Sequence, residues 1–353
     1  MLTTSSPTPP LAQPDRATRR VEARPVTTRA ALEQLVPAWE QLWTLSQASP
    51  FQSPAWLVPW WTHVGQGTLA SVAFHAADTG TLVGMAPLYI HTRSATGARH
   101  LFPLGIATTD RLDILALPGW TRAVAQALVA HCVASRDAWD VVEAPQLPDD
   151  AHLLAAEWPR HWQCELAASD PNPVLPLPAA IPRAMAGNLA YCRRRAARAG
   201  EVAYELADAA SLPDWLAVLE RLHARRWALR DQPGVLRDEG VRAWHHEAAP
   251  RLLHAGLLRL LGLRIAGRPV AALYVLADAP GVPRRHWSYY IGGFDPEAAA
   301  LSPGTLLVGH AIEQAQAEGA QVFDFLRGAE PYKQRWGAVP QAMVNLRVCK
   351  GVT

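Results

Sequence analysis

The residues best suited to chemistry crowd into the last fifth of this chain. Tyr289-Tyr290-Ile291-Gly292-Gly293-Phe294-Asp295 ends one strand-like stretch, and Ser302-Pro303-Gly304-Thr305 opens a helix-like one. Asp324-Phe325-Leu326-Arg327-Gly328-Ala329-Glu330-Pro331-Tyr332-Lys333 then leads to Trp336. A helix start presents unpaired N–H groups and the positive end of the helix dipole, which suits a phosphate, and Gly304 lets a ligand approach the backbone. The same residues serve as ordinary helix punctuation, with Ser302 as the cap and Pro303 at the first position. Asp324 interrupts an apolar strand; a carboxylate there needs hydrogen bonds or a partner, as structural glue or as a site residue. Gly328 breaks the chain at that strand's C-terminal end, where α/β proteins gather ligands. Lys333 and Lys350 are the only lysines among 33 basic residues. A lysine where arginine is the habit points to a need for a compact charge, with chance as the alternative.

Further upstream, His223 and Trp227 are four apart on a helical pattern and share a face. The pair places a base or hydrogen-bond donor beside a substrate, or it is packing at a helix–sheet interface. Arg193, Arg194, Arg195 and Arg198 make one side of a helix basic. That side can grip phosphates of CoA, of a nucleotide-linked substrate or of tRNA, or it is a solvated face. Asp110 and Asp113 flank Arg111 before a strand, as acceptor contacts or as turn caps. No Gly-rich phosphate loop, dinucleotide fingerprint, H-E-x-x-H or G-x-S-x-G occurs, so NTPase, dehydrogenase, zinc-protease and serine-hydrolase chemistry lacks support. Cys132, Cys164, Cys192 and Cys349 are scattered without a C-x-x-C pair, which argues against a zinc knuckle or a redox motif. No metal is expected, and free thiols fit a reducing, cytoplasmic compartment.

These residues need elements to position them. A strand is expected at Val21 to Thr27, a helix from Ala30 to Leu45, and a short helix from Pro54 to Trp61 behind Ser53. A hairpin turns at Asp78-Thr79-Gly80. Strands follow at Arg99 to Ile106, Leu112 to Leu117 and Trp139 to Glu143, with a helix at Thr121 to Ser135. Prolines from Pro171 to Pro182 then reset the pattern and read as a domain boundary. Beyond it, helices are expected at Asn188 to Ala199, Leu212 to Leu229, Arg237 to His254 and Pro303 to Glu318. A hairpin spans Leu257 to Leu276, and strands span Arg284 to Gly292 and Gln321 to Leu326.

The two halves repeat one order of elements, and 353 residues suit two domains. The expected fold is mixed α/β in two tandem modules. The division is residues 1–20 as a disordered lead, 21–170 as the first module, 171–182 as a linker and 183–353 as the second. Half the residues are apolar, 18% are charged and the net charge is +2, so nothing demands a nucleic acid or an anionic membrane. The lead has no apolar core like that of a signal peptide, and no apolar run is long enough to span a bilayer.

The order of the pieces resembles the group of GNAT acyltransferases named after the cellulose-biosynthesis proteins CelD and BcsL. It is carried by Phe51-Gln52-Ser53-Pro54-Ala55-Trp56-Leu57, Pro87-Leu88-Tyr89, Asn188 with the arginine-rich helix, and Leu222-His223-x-x-Arg226-Trp227. Tyr290-x-Gly292-Gly293-Phe294-Asp295-Pro296, Ser302-Pro303-Gly304 and the segment from Asp324 to Trp336 complete it. Tyr332-Lys333-x-x-Trp336-Gly337 is also similar, more remotely, to the FemAB group, which transfers amino acids from aminoacyl-tRNA. The resemblance implies two GNAT-like modules, with catalysis in the second. It implies transfer of an acetyl or other acyl group from acyl-CoA to an amine, or to a hydroxyl, on a small-molecule or sugar-linked acceptor in polysaccharide or envelope synthesis. The FemAB-like alternative is aminoacyl transfer with tRNA as partner, and a non-catalytic scaffold in exopolysaccharide assembly is the third reading. The implied roles are His223 as base or orienter, Tyr290 or Tyr332 as proton donor and Lys333 as charge stabiliser. Ser302, Gly304, Thr305 and Arg194 would hold the CoA, and Trp227, Asp295, Asp324, Glu330 and Trp336 the substrate. Where most acetyl-CoA enzymes of the superfamily carry a Gln/Arg-x-x-Gly-x-Gly/Ala loop, this chain has Ala300-Leu301-Ser302-Pro303-Gly304.

Overall fold

In the computed structural model, which describes residues 19–229, 231–328 and 330–351, the chain opens with β1 (Val21–Val26), α1 (Arg29–Gln34), α2 (Val36–Ser46) and α3 (Pro54–His63). The lead up to residue 18 lies outside the described residues. Next come β2 (Thr68–Leu69), β3 (Ser71–Ala76), β4 (Leu82–Ala86), β5 (Leu88–Thr92), β6 (Arg99–Pro103), β7 (Leu115–Ala116), α4 (Thr121–Ala134), β8 (Val141–Pro148) and β9 (Gln163–Ala168). The second half runs β10 (Asn172–Pro176), α5 (Arg183–Ala199), β11 (Val202–Leu206), α6 (Leu212–Ala228), α7 (Glu239–His254), β12 (Leu258–Ile265) and β13 (Arg268–Ala277). It ends with β14 (His286–Phe294), α8 (Pro303–Ala317), β15 (Val322–Asp324), α9 (Pro331–Arg335), β16 (Val339–Gln341) and β17 (Met343–Cys349).

The single helix expected from Ala30 to Leu45 is two helices that break at Leu35. Pro37 has no N–H to donate, and its ring collides with the carbonyl one turn back, so a helix restarts there instead of continuing.

Two modules repeat one plan. In the second, a seven-stranded sheet has the order β11-β12-β13-β14-β15-β10-β16. The first has a six-stranded sheet, β2-β5-β6-β8-β17-β9, and a four-stranded one, β1-β3-β4-β7. Pro87 sits where the chain passes from the smaller sheet to the larger, at the one residue between β4 and β5 that cannot donate to a ladder. Each module holds one parallel pair with a helix in the connection, β6 with β8 across α4 and β14 with β15 across α8. A parallel neighbour requires such a crossover.

Beside each parallel pair lies an antiparallel strand from outside the span expected for that module. β10 flanks β15, with Val174 opposite Asp324, and β17 flanks β8, with Leu346 opposite Ala144. Asn172–Pro176, within the stretch expected as a linker, is therefore a strand inside the second sheet. Met343–Cys349, expected in the second module, runs inside the first module's sheet, between β8 and β9. The prolines tolerate this because a strand needs carbonyls as well as N–H groups: Pro173 gives its carbonyl to the Phe325 N–H at 2.9 Å.

One core is shared. Trp39, Phe51, Trp56 and Trp60 from α2, α3 and the turn between them pack with Trp215, Leu222, Trp244 and Leu252 of α6 and α7. The Trp56 and Trp244 rings stand 4.5 Å apart, and the Trp244 indole donates to the Trp56 carbonyl at 3.1 Å. Burying such rings removes large apolar areas from water, so α3 and α7 bind the modules to each other. The outer faces have their own cores, under α4 in the first module and between α5 and α8 in the second.

Candidate active site in the wedge between two parallel strands

β14 and β15 pair only from His286 to Ser288 against Val322 to Asp324. β14 continues to Phe294, while the chain after β15 turns away through Leu326, at φ 55°, and Gly328, at φ 119°. A cavity of about 270 Å³ opens in the wedge. Its walls are Tyr289 to Gly292 of β14, Phe325 to Arg327 of the turn, Tyr332 and Lys333 of α9, His223, Arg226 and Trp227 of α6, and Ala107, Thr108 and Asp110 from the first module.

A left-handed leucine costs energy and persists only where its surroundings hold it. Asp324 accepts the Leu326 N–H at 2.7 Å. The Lys333 ammonium donates to the carbonyls of Leu326, Arg327 and Gly328 at 3.1, 2.9 and 3.1 Å and pairs with Glu330 at 2.9 Å. Lys333 is 2% exposed. Its three donors are committed to the turn, so it shapes the wall of the wedge and does not offer a free charge to a ligand. Gly328 is required where it stands, because a Cβ there would lie 2.4 Å from Glu330 Oε2 in addition to the positive φ.

His223 and Trp227 lie on the cleft face of α6, their rings 5.8 Å apart. Burial, with help from Arg226, pushes the His223 imidazolium down to about 4, so the ring is neutral near pH 7. Its buried Nδ1 has no hydrogen-bond partner among the described residues. The helix is held tight to the sheet at this point: a Cβ on Gly293 would sit 2.6 Å from the His223 backbone N and 2.9 Å from the Leu222 carbonyl carbon. Gly293→Ala should therefore cost about 1–3 kcal/mol by overpacking and move His223. Urea unfolding tests this, and a wild-type midpoint would show that α6 has room to spare.

Tyr290 reaches the cleft, but its hydroxyl donates to the Thr108 carbonyl at 2.6 Å, and its ring packs 5.0 Å from Trp56. Burial raises its phenol well above the usual range, with Asp110 and Tyr274 adding to the rise. It is a strut between the modules. The Tyr332 phenol is raised by burial and by its neighbours Tyr289 and Glu330, so it keeps its proton. Glu330 lines the cleft; burial raises its carboxyl, Lys333 and Arg226 outweigh that, and it stays ionised.

The remaining expected residues sit outside the cleft. Asp324 is fully buried beneath it, near Arg111 at 3.4 Å and His286 at 3.8 Å. Asp295 caps the turn after β14 by accepting the Glu297 N–H at 3.1 Å and pairs with Arg225 at 3.0 Å. Trp336 is in the core between α5 and α8. Ser302, Gly304 and Thr305 open α8, where Ser302 lies at φ 53° and caps nothing with its side chain. Arg195, not the exposed Arg194, reaches this helix start, donating to the Ser302 hydroxyl at 2.8 Å. A hollow lined by Arg226, Tyr289, Gly292, Phe294 and Gly304 shares the first three of these residues with the cleft, so the α8 N-terminus borders the wedge across them.

Asp113, weighed as a turn cap, is one: its carboxylate accepts N–H groups of Ile114, His152 and Leu153. Asp110 is different. It lines the cleft, buried, with Arg327 Nε 3.4 Å away but not aligned for a hydrogen bond. Its one signal in the sequence was a carboxylate just before a strand, too common to single out. Among the described residues, no group of His, Cys, Asp or Glu is placed to hold a metal ion.

The second module's run from α5 to α9, with its wedge, is where a family likeness falls. Residues 183–334 match the acetyltransferase (GNAT) domain. The matched domain thus contains His223, Arg226, Tyr290, the α8 start and Lys333. No curated protein matches the chain. Among solved structures, the C-terminal DUF2156 domain of an Agrobacterium fabrum protein assigned as a lysylphosphatidylglycerol synthetase aligns at TM-score 0.57 and 12% identity, over 90% of this chain and 92% of that one. FemX aligns at 0.57 and 11%, over 92% and 96%. L-PGS from Bacillus licheniformis aligns at 0.56 and 10%, over 90% and 92%. These are likenesses of fold that run through both modules. The architecture is mixed α/β in two modules, the second of which matches the GNAT domain, and no helix among the described residues is long and apolar enough to cross a membrane.

Proposed function

We propose that the protein is an acyltransferase that carries an acyl group from acyl-CoA to an amine in the cleft between its modules. The observation behind this reading is that the α8 N-terminus borders the wedge, sharing Arg226, Tyr289 and Gly292 with it, inside the GNAT-matching domain. Phosphates would lie against the N–H groups at Ser302 to Thr305, supported by Arg195, and the thioester would extend along β14. The nucleophile attacks the carbonyl carbon directly, and thiolate leaves. Direct attack needs oriented donors and a proton acceptor but no covalent enzyme intermediate. Neutral His223 is suited to orient the nucleophile or the oxyanion, and the un-ionised Tyr332 phenol to donate a hydrogen bond to the departing sulfur. Lys333, Asp324 and Glu330 support the wall. Acceptors in polysaccharide or envelope synthesis, and a cytoplasmic site of action, accompany this reading.

The likeness to FemX and L-PGS favours a second reading, in which aminoacyl-tRNA is the donor. A thermal-shift series with acetyl-CoA, longer acyl-CoAs and aminoacyl-tRNA separates the two, because a ligand at about 100 times its Kd adds about 2.7 kcal/mol. Acyl-CoA alone is expected to stabilise. A Cβ on Gly304 has only Phe294 Cδ1 within reach, at 3.6 Å, so Gly304→Trp should fold normally and lose the acyl-CoA shift. Stabilisation by tRNA instead would transfer the site to aminoacyl chemistry, and no stabilisation by either would leave a scaffold.

A further inference from the structure

The first module sends a short loop into the cleft, and it is fastened on all sides. Trp60 donates to the Thr108 hydroxyl at 2.7 Å and Trp56 to the Thr109 hydroxyl at 3.0 Å. Tyr290 and Arg327 from the second module donate to the carbonyls of Thr108 and Ala107. Ala107 and Arg111 both hold positive φ, at 70° and 54°, a strained backbone of the kind that gathers at ligand sites. What this loop presents to the cavity is the Asp110 carboxyl.

Asp110 is 6% exposed, and its Oδ1 has no hydrogen-bond partner among the described residues. A carboxyl so deeply buried normally takes several N–H donors, as Asp113 does three residues on. Arg327 from the turn after β15 and Lys333 from α9 face it with positive charge, while Asp324 and the Tyr290 phenol face it from β15 and β14. His223 and Arg226 stand on the other wall. Lys333 is consumed by its three carbonyls and Glu330, so the attraction on Asp110 comes mainly from one misaligned guanidinium.

We infer that Asp110 binds the ammonium of the acceptor and takes its proton, so that the first module supplies the group on which the second module's chemistry depends. This rests on the acyl-transfer reading above and narrows the acceptor to a cationic amine. The ammonium gives one proton to the carboxylate. Its freed lone pair forms the C–N bond as the C–S bond breaks, the second nitrogen proton ends on the thiolate sulfur, and Asp110 returns its proton to water. Burial pushes the Asp110 carboxyl up to about 6, against Arg327 and Lys333, so it is ionised at neutral pH yet still basic enough to accept a proton.

The test uses the full chain and Asp110→Asn, which keeps the shape. Thermal shifts are measured with acetyl-CoA, and separately with glucosamine, lysine and putrescine, from pH 5 to 8. At least one amine should stabilise the wild type, increasingly as pH rises through about 6, and should not stabilise Asp110→Asn. The acetyl-CoA shift should be equal in both. With that amine as acceptor, thiol release from acetyl-CoA should fall roughly 10²–10⁴-fold in the variant, the range for loss of a general base. An equal amine shift in both proteins, or none in either, overturns the assignment of Asp110. A wild type that ignores acetyl-CoA overturns the donor reading instead, whatever the amines do.

Discussion

Lys333→Met should unfold at a markedly lower denaturant concentration than the wild type and lose turnover as well. A lysine read from sequence as a charge stabiliser would give up its rate and leave stability little changed. The geometry moves the expected loss. Removing the ammonium orphans the carbonyls of Leu326, Arg327 and Gly328 and leaves Glu330 without its partner. Glu330 is half exposed, so the cost falls on the carbonyls, where leaving a buried acceptor without its donor costs about 1–3 kcal/mol, and the turn so released is the wall of the wedge. Lys333→Arg should suffer nearly as much. Three carbonyls at close to 3 Å from one nitrogen make a cage for a point charge, and a planar fork cannot satisfy them from one position. Urea midpoints of the two variants decide it: wild-type stability in Lys333→Arg would mean the cage is loose, and wild-type stability in Lys333→Met would mean it is not there.

Asp324→Asn should be comparably damaging, through the junction of the modules. Burial opposes the ionised form of Asp324, yet the His286 and Arg111 contacts outweigh it and hold its carboxyl below the usual value. A depressed carboxyl stabilises the fold above its unfolded pKa, and that stability is lost only as pH falls through the lower folded value. The charge is therefore in force throughout the neutral range, and its loss should cost about 3–5 kcal/mol. Arg111 belongs to the first module and Asp324 to the second, so Arg111→Met and Asp324→Asn should not add. A coupling of about 0.5–3 kcal/mol is expected in the double-mutant cycle, while strict additivity would show that the pair does not join the modules.

Much of the architecture was legible because period and punctuation carry it. Helices α6 and α8 and the hairpin of β12 and β13 lie within a residue or two of their expected places, since each combines clear periodicity with a proline or glycine at its edge. What stayed hidden depends on partners distant in sequence. β9 is a fully exposed edge strand with no buried face to mark it, and β10 hides among prolines because its pairing is set by β15 and β16. The candidate site shows the same division. His223, Trp227, Glu330, Tyr332 and Lys333 do share one cleft, as their spacing allowed. Asp324 and Trp336 fall in the same segment but point away from the cleft, Asp324 toward Arg111 and Trp336 into the core between α5 and α8, a divergence that a run of adjacent residues conceals. Asp110 comes from a loop far upstream, and only the folded chain places it opposite Lys333.

The insertion of β17 into the first module's sheet also sets a timetable. A ribosome finishes the first module's own strands when it has made Ala168, but the sheet still lacks the strand that sits between β8 and β9. That strand arrives with Met343–Cys349, roughly ten to forty seconds later at about 5–20 residues per second. Until then the edges of β8 and β9 that pair with β17 have no partner strand, and unpaired strand edges are where wrong pairing and aggregation begin. A gene truncated before Met343 would encode a protein whose first half fails to mature, although every residue of that half is present.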